Sequence, residues 1–374
     1  MKYVDEYRDG ATAAKLARAI AALAQPERVY RLMEFCGGHT HAISRHGLTD
    51  LLPPNVEMIH GPGCPVCVLP IERLEAAIHL ALSEGVILCS YGDMLRVPAA
   101  KGRSLLKARA EGADVRMVYS TTDALQVAQD NPERQVVFFA IGFETTTPPT
   151  AVALLHAKAL GLKNFSVFCN HVLTPAAIQG ILDGAQGERP LDGVIGPSHV
   201  STIIGSQAYE PFAFKHALPV VIAGFEPLDV MQSILMLISQ INAGRHEVEN
   251  QYIRAVTRSG NAKAQALVAE VFELRPSFAW RGLGTVPWSA LSIRDAFADL
   301  DAEKRFEVPA FTSQDNKACA CADIIRGRKK PRDCKLFGTA CTPDSPLGAC
   351  MVSSEGACAA HWTFGRFRDG EAAQ

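Results

Sequence analysis

Six cysteines stand close together near the end of the chain and are its strongest chemical signal. Four thiolates that converge on one point can hold an iron–sulfur cluster, which then supplies the binding energy that a short, loop-rich segment lacks. The segment has no paired C-x2-C spacings of the kind found in common structural zinc sites. We expect an iron–sulfur cluster here, with a zinc site and plain buried cysteines as alternatives. The six are Cys319, Cys321, Cys334, Cys341, Cys350 and Cys358.

This group contains two more cysteines than one four-iron cluster requires. The surplus pair could form a dithiol beside the cluster. Such a dithiol would let electrons move between the cluster and a disulfide.

A second thiol motif occupies the segment 61–67, which reads Gly-Pro-Gly-Cys-Pro-Val-Cys. It follows a predicted strand and leads into a helical segment, so we expect it at a strand-to-helix turn. A helix N-terminus stabilises a thiolate, and the spacing of Cys64 and Cys67 is typical of thioredoxin-like redox sites. The motif is interpreted as a reversible dithiol or as half of a metal site, with two small buried residues as the structural alternative.

A third motif combines cysteine with histidine in one short loop: Cys36, two glycines, His39, Thr40 and His41. In open parallel sheets, ligands bind beyond the carboxyl ends of the strands, which is where this loop falls. Paired glycines allow close approach of the backbone to a ligand, and thiolate with imidazole suits iron or zinc. Either histidine alone could be an ordinary loop residue, but together with Cys36 they predict a site.

Other polar residues at predicted strand ends are weaker candidates. Glu144, His171 and His199 each stand alone, and helix capping is the ordinary role for Thr146 or Ser198. Cys89 and Cys169 lie within apolar runs and are expected in the core. The sequence has no Walker A loop, no G-x-G-x-x-G after a strand and no G-x-S-x-G elbow, so the familiar nucleotide and hydrolase signals are absent.

Short apolar runs alternate with helical segments over much of the chain. Near-continuous apolar strands between helices indicate parallel sheets covered on both faces, and therefore an α/β fold. Beyond about residue 240 this pattern gives way to helical segments and then to the irregular, cysteine-rich tail. The predicted strands are Tyr30–Phe35, Val56–His60, Val86–Ser90, Val115–Tyr119, Val136–Ile141, Phe165–Cys169, Gly193–Ile195 and Pro219–Ala223.

The eight runs repeat with an offset of roughly 105 residues, which suggests two similar α/β domains in tandem. Any α/β protein has strands at regular intervals, so coincidence is the alternative explanation. We predict α/β domains at 26–130 and 131–240, followed by an iron–sulfur domain at 241–374. A helix in 1–25 is expected to pack with this last domain.

Composition limits the classes of function. The 374 residues suggest two or three domains, and the net charge of −2, without a basic stripe, argues against nucleic acid as a partner. No apolar stretch is long enough to span a bilayer, and the N-terminus is charged where a signal peptide is apolar. We therefore expect a cytoplasmic protein. Eleven cysteines, an odd number, then indicate metal or redox chemistry rather than a disulfide framework.

These motifs together resemble the HypD family of hydrogenase maturation factors. The resemblance covers almost the whole chain and rests on six segments: 35–43, 60–70, 142–146, 223–229, 336–338 and 351–360. It implies an α/β fold with two similar Rossmann-like domains and a helical, irregular [4Fe–4S] domain. It also implies assembly of the Fe(CN)2CO unit of [NiFe] hydrogenase together with HypC and with HypE, which supplies cyanide. The resemblance favours an assembly scaffold with redox activity inside a maturation complex over an enzyme in its own right, without deciding between them.

The resemblance also implies residue roles. Cys36 would bind the nascent iron together with a cysteine of HypC, and His39 and Thr40 would line that site. Cys64 and Cys67 would be the redox dithiol. Glu355 is a weaker candidate for proton handling, with a surface carboxylate as its ordinary interpretation.

The family's cluster pattern corresponds to C-x12-C-x6-C-x16-C in this sequence. It selects Cys321, Cys334, Cys341 and Cys358 as cluster ligands and leaves Cys319 and Cys350 as the redox pair. Cys319 and Cys321 could exchange these roles.

The working hypothesis is that electrons pass from the cluster through two thiol pairs towards iron on Cys36. The first alternative is a cluster-dependent oxidoreductase that acts on protein disulfides, although it gives Cys36 and His39 no role. The second is a zinc-stabilised binding module without redox chemistry.

Overall fold

The computed structural model describes residues 4–184 and 191–365. The strands are β1 (Tyr30–Glu34), β2 (Val56–His60), β3 (Val86–Ser90), β4 (Asp114–Met117), β5 (Gln135–Gly142), β6 (Phe165–His171), β7 (Gly193–Pro197), β8 (Val220–Ala223), β9 (Val248–Asn250), β10 (Phe272–Trp280) and β11 (Gly284–Ile293). The α-helices are α1 (Gly10–Leu23), α2 (Gly37–His46), α3 (Pro65–Val68), α4 (Ile71–Ala81), α5 (Gly92–Arg96), α6 (Leu105–Ala110), α7 (Thr121–Asp130), α8 (Thr147–Ala159), α9 (Thr174–Gly184), α10 (Ser198–Ile204), α11 (Glu210–His216), α12 (Pro227–Asn242), α13 (Ala262–Val271), α14 (Ala302–Arg305), α15 (Cys321–Ile325) and α16 (Ala357–Ala360).

Two parallel sheets form the core. The first sheet has the strand order β2-β1-β7-β8-β9, and the second sheet has the order β4-β3-β5-β6. Their inner strands are buried along almost their whole length, as expected for strands covered by helices on both faces. The predicted α/β fold with Rossmann-like parallel sheets is confirmed, and each of the eight predicted runs forms a strand.

The sheets do not divide the chain near residue 130, which corrects the predicted domains 26–130 and 131–240. β1 and β2 belong to the first sheet, β3 to β6 form the second, and β7 to β9 return to the first. The cause is strand pairing: the edge of β1 that β2 leaves free is filled by β7, with Leu32 beside Gly193. Each predicted domain therefore contributes strands to both sheets, and the chain crosses between them twice.

The N-terminal helix packs on the first sheet rather than with the cysteine-rich tail, which corrects the second domain prediction. Its buried residue Ile20 joins a core cluster that includes Ile234 and Leu237 of α12. The Asn242 side chain donates to the Leu23 carbonyl oxygen at 2.8 Å. The outermost residues of the predicted segments, 1–3 and 366–374, lie outside the described residues.

An antiparallel hairpin, β10–β11, lies in the region predicted to be helical and irregular. The turn after β10 carries Arg281, whose backbone N–H donates to the Val68 carbonyl at 2.7 Å. The Arg281 Nε donates to the Leu69 carbonyl at 3.0 Å, and its guanidinium also pairs with Asp315. The hairpin therefore fixes the end of the turn that carries Cys64 and Cys67.

The cysteine-rich tail has little regular structure but is well packed. Cys64 and Cys67 share one core cluster with Cys321, Ile324 and most of the tail's other buried residues. Thiols that are about 250 residues apart in sequence are thus neighbours in the fold. Across the described ranges, no helix combines the length and the apolarity needed to cross a membrane.

Candidate metal and thiol site

Two adjacent strand ends bring the Cys36 loop and the Cys64 turn together. β1 and β2 are parallel and in register, with Glu34 beside His60, so the segments that follow them leave the same edge of the sheet. Backbone hydrogen bonds link the two segments: Gly61 N–H donates to the Glu34 carbonyl at 2.9 Å, and Gly37 N–H donates to the Gly63 carbonyl at 3.1 Å.

Gly63 allows the turn before Cys64 to lie this close to the backbone of Cys36. A Cβ atom at Gly63 would lie 2.5 Å from the Cα and 2.7 Å from the carbonyl carbon of Cys36, much nearer than van der Waals contact. Glycine is therefore required here because the backbone of Cys36 occupies the space that a side chain would fill. The two sequence motifs form one site.

Cys36 is buried at the N-terminus of α2. Its Sγ lies 3.2 Å from Nδ1 of His199, which follows the end of β7. Burial above all, and the carboxylate of Glu355, raise the pKa of the Cys36 thiol well above its ordinary value, whereas the backbone N–H of Gly38 opposes this shift. Cys36 is held as a thiol in this environment, so a metal ion that binds it must displace a proton.

His39 has the hydrogen bonding of a potential ligand. Its Nε2 lies 3.0 Å from the Ala223 carbonyl oxygen and 3.1 Å from that of Gly224. Carbonyls only accept, so Nε2 carries the hydrogen and Nδ1 carries a lone pair. Within the described part of the chain, Nδ1 is buried without a hydrogen-bond partner. Burial chiefly lowers the His39 pKa, which favours the neutral imidazole that binds metals.

Two residues at this site carried no distinct sequence motif. Glu34 is fully buried at the end of β1, where it accepts a hydrogen bond from the Thr40 hydroxyl. The Ser198 Oγ, next to His199, is buried and has no partner among the described residues. A charged residue inside the apolar run of β1 was the available signal for Glu34, because a buried carboxylate needs partners.

Cys64 and Cys67 form a disulfide across the first turn of α3. Both are buried, and Cys67 N–H donates to the Cys64 sulfur at 3.2 Å. The Cys67 sulfur lies 4.0 Å from the Ala349 carbonyl oxygen of the tail. The disulfide is therefore placed between the Cys36 loop and the tail cysteines.

All six tail cysteines line one cavity. The backbone N–H of Leu347 donates to Cys341 Sγ at 3.3 Å, and the N–H of Ala320 donates to Cys334 Sγ at 3.5 Å. Burial first, and then neighbouring thiols such as Cys321, raise the pKa of Cys358. Clustered thiols resist ionisation unless a metal supplies positive charge, and backbone donors stabilise thiolate ligands.

These observations fit an iron–sulfur cluster. Among the described residues, no three Cys, His, Asp or Glu side chains are arranged to hold a single metal ion. A cluster has a different requirement, because its thiolates bind separate iron atoms around a cavity rather than one ion at a point. A cavity enclosed by six cysteines meets that requirement, so the residues present suit the group that the sequence predicts.

The geometry favours the exchange of roles between Cys319 and Cys321. Cys321 Sγ lies 2.7 Å from Cys350 Sγ. Cys321 is therefore the natural partner of Cys350 in a thiol pair, whereas the sequence pattern assigned Cys319. Cys319 hydrogen-bonds to Cys321 and lines the same cavity, so it can take the fourth ligand position beside Cys334, Cys341 and Cys358.

A second, small cavity connects the tail to the redox turn. Cys350 lines both this cavity and the six-cysteine cavity, together with Ile324. Glu355 also reaches the site: a Cβ at Gly37 would lie 2.8 Å from the Glu355 Cγ. Glu355 therefore contacts the Cys36 loop, and its proton-handling role stays a prediction. The connecting cavity is lined by Thr40, Gly61, Pro62, Cys64, Cys67, Ile324, Ile325, Cys350, Glu355 and Ala357.

Other candidates have structural partners elsewhere. His171 Nε2 lies 2.9 Å from the Thr150 hydroxyl. Glu144 accepts from the backbone N–H and the hydroxyl of Thr174 at 2.8 and 2.9 Å. Cys89 and Cys169 are fully buried within their strands, and burial raises the pKa of each thiol to about 12, as expected for inert core cysteines.

Comparison with known proteins agrees with these observations. A family model described as HypD, hydrogenase formation hypA family, matches residues 11–365. The hydrogenase maturation factor HypD of Azotobacter vinelandii is 67% identical over 371 residues, which cover 98% of each chain. The HypD of Rhizobium leguminosarum bv. viciae is 66% identical over 99% of this chain and 97% of its own.

Similarity extends to a more distant relative. The HypD of Escherichia coli K12 is 45% identical over 369 residues, which cover 97% of this chain and 98% of its own length. The matches thus include the Cys36 loop, the Cys64 turn and the cysteine-rich tail alike. The chain belongs to the HypD family of hydrogenase maturation factors.

Proposed function

We propose that this chain holds an iron atom on Cys36 while cyanide and carbonyl ligands are attached to it, and that its thiols supply reducing equivalents to that site. The observation that carries the proposal is the contact of the Cys36 loop with the disulfide turn, which in turn shares a cavity with Cys350 of the tail. We place this work in the cytoplasm, where cellular thiols are kept reduced.

The iron is the cargo of this site. Cys36 provides a strong-field thiolate, and a cysteine from a small HypC-type partner would provide another. His39 Nδ1 is the nearby unpartnered acceptor, and Thr40 helps to fix the loop. A HypE-type partner would deliver cyanide. Because Cys36 is fully buried in the isolated chain, partner binding must also open a path to it.

The resident cofactor is a [4Fe–4S] cluster held by Cys319, Cys334, Cys341 and Cys358. When bound, it would supply single electrons. The cavity, the backbone N–H donors and the mutual repulsion of the ionised thiols support a cluster at this place. The contact of Cys321 with Cys350 supports Cys319 as the fourth ligand.

Reducing equivalents pass from the tail thiols to the Cys64–Cys67 disulfide by disulfide exchange. A Cys350 thiolate attacks the Cys67 sulfur, which forms a mixed disulfide and releases Cys64 as a thiolate. Cys321 then attacks Cys350, which releases Cys67 and leaves a Cys321–Cys350 disulfide. Two electrons move from one pair to the other, and the two protons lost by Cys321 and Cys350 balance those gained by Cys64 and Cys67.

The alternative function, reduction of disulfides in other proteins, gives the Cys36 loop no role and also requires the buried Cys64–Cys67 pair to become accessible. Cys64 is 4% exposed and Cys67 is 2% exposed, so a protein disulfide cannot reach either sulfur without rearrangement. The enclosed disulfide instead shares a cavity with Cys350 of the same chain.

The test is the infrared spectrum of the chain purified without air after co-expression with HypC- and HypE-type partners. The proposal predicts bands of iron-bound cyanide and carbonyl in the complex and their loss in Cys36→Ala. Cys89→Ala is the matched control, because Cys89 is also a buried cysteine but lies on β3, in the other sheet. Bands that persist in Cys36→Ala would count against Cys36 as the iron anchor.

A further inference from the structure

Glu34 is an ionisable side chain with no exposed surface at the end of an apolar strand. Burying a carboxylate is costly unless hydrogen bonds and opposite charge compensate it. A strand that only had to pack would carry an apolar residue at this position. The partners of Glu34 therefore indicate what it is for.

Three donors converge on its two oxygens. Oε2 accepts the backbone N–H of Cys36 at 2.8 Å. Oε1 accepts from His60 Nδ1 at 2.7 Å and from the Thr40 hydroxyl. An ionised carboxylate only accepts, so this set of three donors matches it well.

These donors come from the two segments that form the site. Cys36 and Thr40 belong to the loop and first turn of α2, and His60 ends β2, just before the turn with the disulfide. One carboxylate thus ties the iron-anchoring loop to the strand that carries the redox turn. It also places a carboxylate one hydrogen bond from the backbone of Cys36.

We propose that Glu34 is a positioning residue that orients the Cys36 loop and, through its charge, raises electron density on iron bound to Cys36. This inference rests on the proposed function, in which Cys36 anchors the iron. A nearby negative charge strengthens electron donation from the metal into the carbonyl and cyanide ligands, which lowers their stretching frequencies. A role confined to packing has no such effect.

The test compares infrared band positions in complexes purified without air. Glu34→Gln keeps the size of the side chain and removes its charge, so the carbonyl and cyanide bands should shift to higher frequency. Thr40→Val keeps the charge but removes one of its donors, so the bands should shift to lower frequency. Glu75→Gln is the matched control: Glu75 is also buried and accepts a backbone N–H, that of Ala100, but it lies on α4.

A second measurement does not depend on iron. In the metal-free chain, Glu34→Ala should accelerate hydrogen exchange in peptides that span 35–41, whereas Glu75→Ala should leave them unchanged. Wild-type complexes without any bands would refute the proposed iron site, and the exchange data would still test the positioning role. Unshifted bands in both Glu34→Gln and Thr40→Val, or unchanged exchange in Glu34→Ala, would overturn the inference.

Discussion

Gly63→Ala is the substitution that most directly separates the disulfide turn from Cys36. The added Cβ would lie 2.5 Å from the Cys36 Cα, whereas ordinary contact begins at 3.4 Å. The neighbouring atoms are backbone and cannot rotate away. The turn must therefore move by about 1 Å relative to the Cys36 loop, or the loop must move by the same amount.

This displacement should impair function more than folding. Overpacking of this kind costs about 1–3 kcal/mol of stability, which a protein of this size can tolerate. Misplacement of a reactive group by about 1 Å can cost on the order of 100-fold in rate. We expect Gly63→Ala to keep the cysteine-rich tail intact and to lose most of its maturation activity.

The assay measures hydrogenase activity in a host that lacks its own copy of the gene for this chain and carries the variant instead. The expression level and the visible spectrum of the variant are measured in parallel. Gly10→Ala is the control, because a Cβ there meets nothing within 4 Å. Full maturation by Gly63→Ala, at a wild-type protein level, would refute the argument that close contact between turn and loop is needed.

Two further predictions concern the tail and the buried Glu144. When purified without air, the Cys319→Ser protein should lack iron and sulfide, whereas the Cys321→Ser protein should retain both. The reverse pattern of iron and sulfide contents would restore the assignment drawn from the sequence. Burial raises the pKa of Glu144 to about 7, above its ordinary value of 4.5. Between pH 4.5 and about pH 7 the folded state therefore binds more protons than the unfolded state, so stability falls as the pH rises through this range. Glu144→Gln removes this dependence, so its free energy of unfolding should rise relative to that of the wild type between pH 5 and pH 8, by on the order of 3 kcal/mol at most. A constant difference between the two proteins across that range would contradict the assignment.

The strands were predictable because buried parallel strands are apolar along their length. The assignment of strands to sheets could not be predicted, because the residues of β2 and β3 do not indicate that these consecutive strands join different sheets. The hairpin β10–β11 was missed because its outer positions are exposed and Pro276 interrupts the strand pattern.

The site was predictable in its parts but not in its connections. The cysteine and histidine motifs were evident from residue type and spacing. Cys319 and Cys321 are only two residues apart, so spacing cannot determine which of them faces Cys350. In the folded chain it is Cys321, the first residue of α15. Glu34 lacks a motif because its role depends on partners that are apart in sequence: Cys36 and Thr40 at the start of α2, and His60 at the end of β2.

The central claim is that thiols from distant segments form one relay that ends beside Cys36. The most direct measurement is a search for the mixed disulfide in a variant that carries both Cys64→Ser and Cys321→Ser, which leaves Cys67 and Cys350 without their own partners. Under mild oxidation, peptide mapping by mass spectrometry should find Cys67 linked to Cys350, and the link should vanish when Cys350 is also replaced. If Cys67 stays free under conditions that fully oxidise the wild-type Cys64–Cys67 pair, the relay does not exist.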